Sequence, residues 1–309
     1  MNPRLVLLDD PGLARDSYLD PIRAAGGLWA PAAMGIQMRE LISEARDRRV
    51  RALQLPGTDE SLAEALPDLE FLIVTGPRPD ARIINRLAGL RLLQLWSAPV
   101  DRLDLGALPR LEWLLLGDCD AALIDALSAG HRMLGHLHVT DYPVVDLAPC
   151  AGLPLRRLSV VNGRRLVRLD PVTPLADTLT GLELSLCPSL PSLDGIEGLA
   201  NLEVLELSNL RQITTLDWVQ RLPRLRLLNV FDLKNVESLA PLAGHPSLEF
   251  VTFGRTKDLD LEPLASIPNL RLMHTGSYRW NRDVHDFPHM DNFPSDHPVQ
   301  QEYARLLHG

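Results

Sequence analysis

Long apolar runs are missing from this sequence. No window approaches the roughly 18 consecutive apolar residues of a membrane-spanning helix, so a membrane protein is not expected. Lysine is almost missing as well: of 31 Lys and Arg, only Lys234 and Lys257 are lysine. That bias reads as GC-rich, bacterial coding rather than as chemistry. Positive charge is short overall, with a formal net charge of −9. A duplex nucleic-acid binder needs a basic surface, which argues against that partner. The three cysteines, Cys119, Cys150 and Cys187, are odd in number and scattered. They suit a reduced cytoplasmic protein better than a disulfide framework. The opening "MNPRLVLLDD" has too short an apolar stretch for a secretory signal, so export is not expected. The sequence also holds no Gly-rich phosphate loop, no GxSxG elbow and no zinc-spaced cysteines, and therefore implies no cofactor by motif.

What is present is leucine, in a recurring order. Aligned on the first position of "LxxLxL", units begin at Val50, Leu69, Leu90, Leu111, Leu134, Leu155, Leu179, Leu202, Leu225, Leu248 and Leu270, with a mean spacing of 22. Such a period is too short for two-helix repeats. Places one, four and six are the buried ones. Each buried leucine contributes roughly 1.5–3 kcal/mol, and no unit can bury its set alone, so the units must stack. Place two reads Arg51, Glu70, Arg91, Glu112, Gly135, Arg156, Thr180, Glu203, Arg226, Glu249, Arg271. The alternating sign sets unlike charges side by side at the roughly 4.8 Å strand spacing, each pair contributing roughly 0.2–1 kcal/mol.

The pattern "LxxLxLxxxxxLxxLxxLPxL", running from about Val50 to Ser277, resembles the leucine-rich repeat family in its short bacterial class. The resemblance implies an α/β solenoid: a right-handed horseshoe of about 11 repeats, with a parallel concave β-sheet and a convex side of short 3₁₀ segments and turns. It divides the chain into a capping region at 1–49, a solenoid at 50–277 and a carboxy-terminal cap or tail at 278–309. The family's usual asparagine at place nine is replaced throughout, by Cys119 and Cys187 among others. Irregular turns are therefore expected, with those two thiols as small buried groups.

At the ends, "RLVLL" reads as an edge strand. Met34, Met38, Leu41, Ile42 and Ala45 recur at helical spacing, and Trp29 lies in an expected ordered loop. "HPVQQEYARLLHG" reads as a short helix beginning after Pro298 and covering the final repeat.

Places three, five and seven should face outward on the concave sheet. There Phe71, Ile73, Leu92, Trp96, Trp113 and Leu115 crowd adjacent units, bordered by His136 and His138, with a weaker group at Leu227, Phe231 and Phe250. A contiguous apolar patch is seldom left open without use. Three occupants fit it: another protein or peptide, a second copy of the chain, or the amino-terminal cap. Glu183 and Glu206 share place five of adjacent units and repel, which suits a solvated pair, a partner's cation, or acid–base chemistry. The pair "HLH" lacks a third ligand on either flanking strand. The tail's His285, His289, His297, Asp286, Asp291 and Asp296 are cut by Pro288, which disfavours a shared helix face. A metal-dependent enzyme and a structural homo-oligomer stay as alternatives. The reading favoured is a cytoplasmic, non-enzymatic scaffold that binds a protein or peptide, of which an inhibitor of a toxin or enzyme is one form.

Overall fold

A computed structural model describes residues 6–7, 28–29, 38–76, 79–96, 102–127, 132–170, 172–275, 279–281, 287 and 297–308. The chain divides into two compact units, residues 1–140 and 141–309.

In the first unit the repeats at Val50 to Leu134 each give one short strand: β3 (Ala52–Leu55), β4 (Phe71–Val74), β5 (Leu92–Leu95), β6 (Trp113–Leu116) and β7 (His136–Thr140). All pair in parallel, and place three meets place three in a single column, Ala52, Phe71, Leu92, Trp113 and His136. Ahead of them, β1 (Val6–Leu7) pairs antiparallel with β2 (Leu28–Trp29), which pairs parallel with β3. Helix α1 (Met38–Asp47) buries Leu41, Ile42 and Ala45, three of the residues predicted to form its apolar face. Met34 and the Trp29 side chain lie outside the described residues.

The second unit carries β8 (Arg157–Val161), β9 (Gly181–Ser185), β10 (Val204–Ser208), β11 (Leu227–Phe231), β12 (Phe250–Phe253) and β13 (Leu272–Thr275). They are again parallel and in the expected register. Inward, Leu158, Leu182, Leu205, Leu228 and Val251 form one buried ladder. The reason is the period of two: places four and six turn to the core while three and five turn away. On the far side of the core the chain returns through short 3₁₀ turns, among them Ala148–Cys150, Thr173–Leu175, Ile196–Gly198 and Ala240–Leu242.

The charge column forms as predicted. Arg91 grips Glu112 through two hydrogen bonds of 2.9 Å and also faces Glu70, and Arg226 and Arg271 share Glu249. The turns after the strands differ from expectation, being regular in the second unit. Asp141, Asn162, Leu186, Asn209 and Asp232, all at place eight, take φ of 53–56°. This left-handed step aims the place-eight N–H at the place-seven carbonyl of the next repeat, as from Asn162 to Ser185 at 2.8 Å and from Leu186 to Ser208 at 2.9 Å. The turn signal thus sits one place earlier than the family's asparagine. Place nine behaves as a core position, with Tyr142, Cys187, Leu210 and Leu233 all buried.

Helix α6 is the last described element. Numbering the short helices α2 (Leu62–Ala65), α3 (Ala81–Ile84), α4 (Ala121–Leu127) and α5 (Glu262–Ala265), it spans Pro298–His308. His297 caps its start, the ring Nδ1 accepting from Val299 N–H at 3.2 Å. The helix begins where Pro298 predicts, but it lies on the sheet face of the second unit and is not confined to the final repeat.

Candidate functional site

On the sheet face of the first unit, the predicted apolar group is brought together but is not open. Phe71, Ile73, Leu92 and Leu115 are all at most 4% exposed, and Gln94 between them is buried with its Oε1 unpaired. This corrects the expectation of an exposed patch: these four side chains are closed to solvent within a single chain. Phe71 also lies under the Arg91 guanidinium, 5.7 Å from its ring centre.

The aromatic members stay nearer the surface. Trp96 is 38% exposed, and Trp113, His136 and His138 are half-buried. Register explains their pairing, because Trp113 and His136 occupy place three of β6 and β7. Their rings stack in parallel, with centroids 3.5 Å apart and planes 5° apart. Trp96 meets His138 edge-on at 5.7 Å. His138 Nε2 sits 3.2 Å from Thr140 Oγ1. Two ring pairs thus meet at β7. Among the described residues no three His, Cys, Asp or Glu side chains converge as a metal site. His285, His289, Asp286, Asp291 and Asp296 lie outside those residues.

The second predicted group has another fate. Glu183 and Glu206 are neighbours in register, as expected. They are tied into a local network and are not free to select a partner's charge. Ser159 donates to Glu183 Oε2 at 2.5 Å, Asn229 donates to Glu206 Oε2 at 3.2 Å, and the Arg157 guanidinium lies 3.7 Å from Glu206 Oε1. Burial, and then the Glu183 charge beside it, push the Glu206 carboxyl up to about 7. That value suits acid–base chemistry in principle. Here both oxygens already have protein partners, which suits packing better than turnover.

The weaker group is split. Leu227 and Phe250 are buried beneath α6 while Phe231 remains 49% exposed. The repeat pattern does not reveal the role of this helix. Its signal was available in the spacing of Val299, Tyr303, Leu306 and Leu307, an apolar stripe at i, i+4, i+7 and i+8. Cys150 and Cys187 are poor nucleophiles: burial drives them up to about 12 and about 11.

One parallel strand per 22-residue repeat, an inward leucine ladder and a 3₁₀ return together define the architecture. This is the leucine-rich-repeat fold. No protein-family model and no curated protein matches the sequence. Among solved structures, the chain is similar to internalin C2 of Listeria monocytogenes, with 22% identity, 62% of this chain and 82% of that one covered, and a TM-score of 0.49. It is also similar to InlJ of Listeria monocytogenes, with 20% identity, 75% and 54% covered, and a TM-score of 0.46. A leucine-rich-repeat protein of Leptospira interrogans gives 18% identity, 75% and 68% covered, and a TM-score of 0.48. Among the described residues no helix is long and apolar enough to cross a membrane.

Proposed function

We propose that this leucine-rich-repeat chain is a non-enzymatic scaffold that recognises another protein or a peptide through the sheet face of its first unit. Trp96, Trp113, His136 and His138 form the anchor. The observation that carries the reading is the state of Trp96. It keeps 38% of its surface exposed in a column whose aliphatic members are buried, and its ring is already braced by His138. Tryptophans held rigidly at a surface are the usual anchors of protein interfaces, and pre-organised rings lose little entropy on binding. A peptide or protein suits the site better than nucleic acid, given the net charge of −9 and the engagement of arginines such as Arg91 and Arg226 in ion pairs. Three buried cysteines outside any disulfide, uncommon in oxidising compartments, support a cytoplasmic residence.

The test is affinity capture with the intact chain, followed by titration of the identified partner. Trp96→Ala and Trp113→Ala should each weaken that partner by about 2 kcal/mol while the melting temperature of the Trp96 variant stays near wild type. Unchanged affinity in both variants removes the site.

A further inference from the structure

The sheet face of the second unit is filled by the chain's own α6, and the contacts have the form of a recognition site. Three kinds of complementarity meet there. Val204, Leu227 and Phe250, in-register residues of β10, β11 and β12, receive Val299, Tyr303, Leu306 and Leu307. Those four lie on one side of the helix, while Pro298, Gln301, Ala304 and Arg305 are exposed on the other. Glu302 is held by two arginines from the charge column, Arg226 at 2.8 Å and Arg271 at 2.6 Å. At the helix end, Arg157 donates to the carbonyls of Leu306 at 2.9 Å and Leu307 at 2.7 Å. These carbonyls have no partner inside a helix and carry the negative end of its dipole.

The groove and the helix are balanced in charge. Without Glu302, Arg226 and Arg271 would share Glu249 alone. Tyr303 extends the match by donating to Asn229 Oδ1 at 3.3 Å, the same Asn229 that donates to Glu206. None of these contacts belongs to the leucine core, which lies on the opposite side of the same strands. What the groove reads is generic: an apolar stripe, one acid beside an aromatic, and a pair of terminal carbonyls.

We propose that the sheet face of the second unit is a receptor groove for an amphipathic helix that ends there, and that Pro298–His308 occupies it as an internal ligand which a partner helix of the same pattern displaces. That partner presents apolar residues at i, i+4, i+7 and i+8, a carboxylate at i+3, and a helix terminus over Arg157. Such helix-in-groove recognition uses side-chain spacing as its code. The proposal stands on the second unit alone and is independent of the Trp96 site.

The experiment uses the chain of residues 1–309 and a fluorescent synthetic peptide of residues 297–309. In the wild type the groove is filled, so peptide binding is weak. In Tyr303→Asp/Leu306→Asp the internal helix is expelled, and the peptide should bind at least tenfold more tightly than to wild type. A peptide carrying Glu302→Lys should lose at least tenfold against that same variant. A folded double variant that binds no peptide overturns the proposal, as does wild-type binding of equal strength. Should the double variant unfold, hydrogen exchange on the wild type decides. Amides of α6 exchanging at least tenfold faster than those of β10 and β11 mark a helix that leaves while the unit stays folded; equal rates mark a fixed part of the fold and overturn the proposal.

Discussion

Leu186 holds a conformation that a leucine resists. Its φ of 55° places Cβ against its own carbonyl, at a cost of roughly 1–2 kcal/mol, and 45% of the residue is exposed, so little burial offsets that cost. The corresponding residues Asn162 and Asn209 adopt the same step with side chains that tolerate it. Leu186→Asn should therefore raise stability by about 1 kcal/mol, read as a higher urea midpoint at unchanged slope. A midpoint at or below wild type would show that the leucine side chain contributes packing there. Glu206 carries a pH-dependent prediction. Its folded value of about 7 lies above its ordinary 4.5. The native carboxyl thus binds its proton more tightly than the unfolded one, and the resulting stability is complete below about 4.5 and lost as pH rises through about 7. Glu206→Gln keeps an acceptor for Asn229 and removes that slope. It should gain about 3 kcal/mol at pH 8 relative to its effect at pH 4, measured by urea denaturation at both. Equal effects at the two pH values would mean that the carboxyl is already solvated. The Glu183–Glu206 adjacency was legible in the repeat spacing. Ser159 and Asn229, the place-five neighbours on β8 and β11, follow from the same register; Arg157 does not, because it reaches Glu206 from place three of a strand that is not adjacent to β10.

At the scale of the element, α6 depends on a glycine far from it in sequence. Gly181 stands at place three of β9, in register with Arg157. A Cβ there would lie 3.1 Å from the Arg157 guanidinium carbon and Nε, so the missing side chain lets that arginine lie flat across β9 and reach the helix end. Gly181→Ala should displace it and lower stability by about 1–2 kcal/mol, with faster hydrogen exchange confined to α6. Gly135 offers a control, since a Cβ at that position meets nothing within 4 Å. Its alanine variant should leave α6 protection unchanged, and equal loss from both substitutions would refute the role given to Gly181. The start of α6 was readable from Pro298, and its apolar stripe was readable too. Its seat was not. An amphipathic stripe states that a face must be covered without naming the surface that covers it. Arg226 and Arg271 were legible as members of the charge column, while their second carboxylate, Glu302, comes from outside the repeats.

Across the whole molecule, the sequence period determines more than the packing does. A repeat of places predicted which residues stand side by side, and the place-three columns of both units follow it residue for residue. Which outward positions reach water was beyond that logic: Leu92 and Leu227 point away from the leucine ladder and are still fully buried, and over Leu227 the cover is α6, which no repeat encodes. The same stacking makes a prediction about how damage spreads. Within the sheet of the second unit each described strand pairs only with the strands next to it, so its stability should be largely a sum of repeat terms and nearest-neighbour terms. Leu205 on β10 is 0% exposed between Leu182 and Leu228. Leu205→Ala leaves a cavity in that ladder and should cost 2–5 kcal/mol, depending on how far the flanking leucines relax into it. In hydrogen exchange, protection should fall most for β9, β10 and β11, and least for β13, two interfaces beyond β11. A uniform fall from β8 to β13 would show instead that the unit opens only as a whole, with the nearest-neighbour terms too strong for any single repeat to loosen alone.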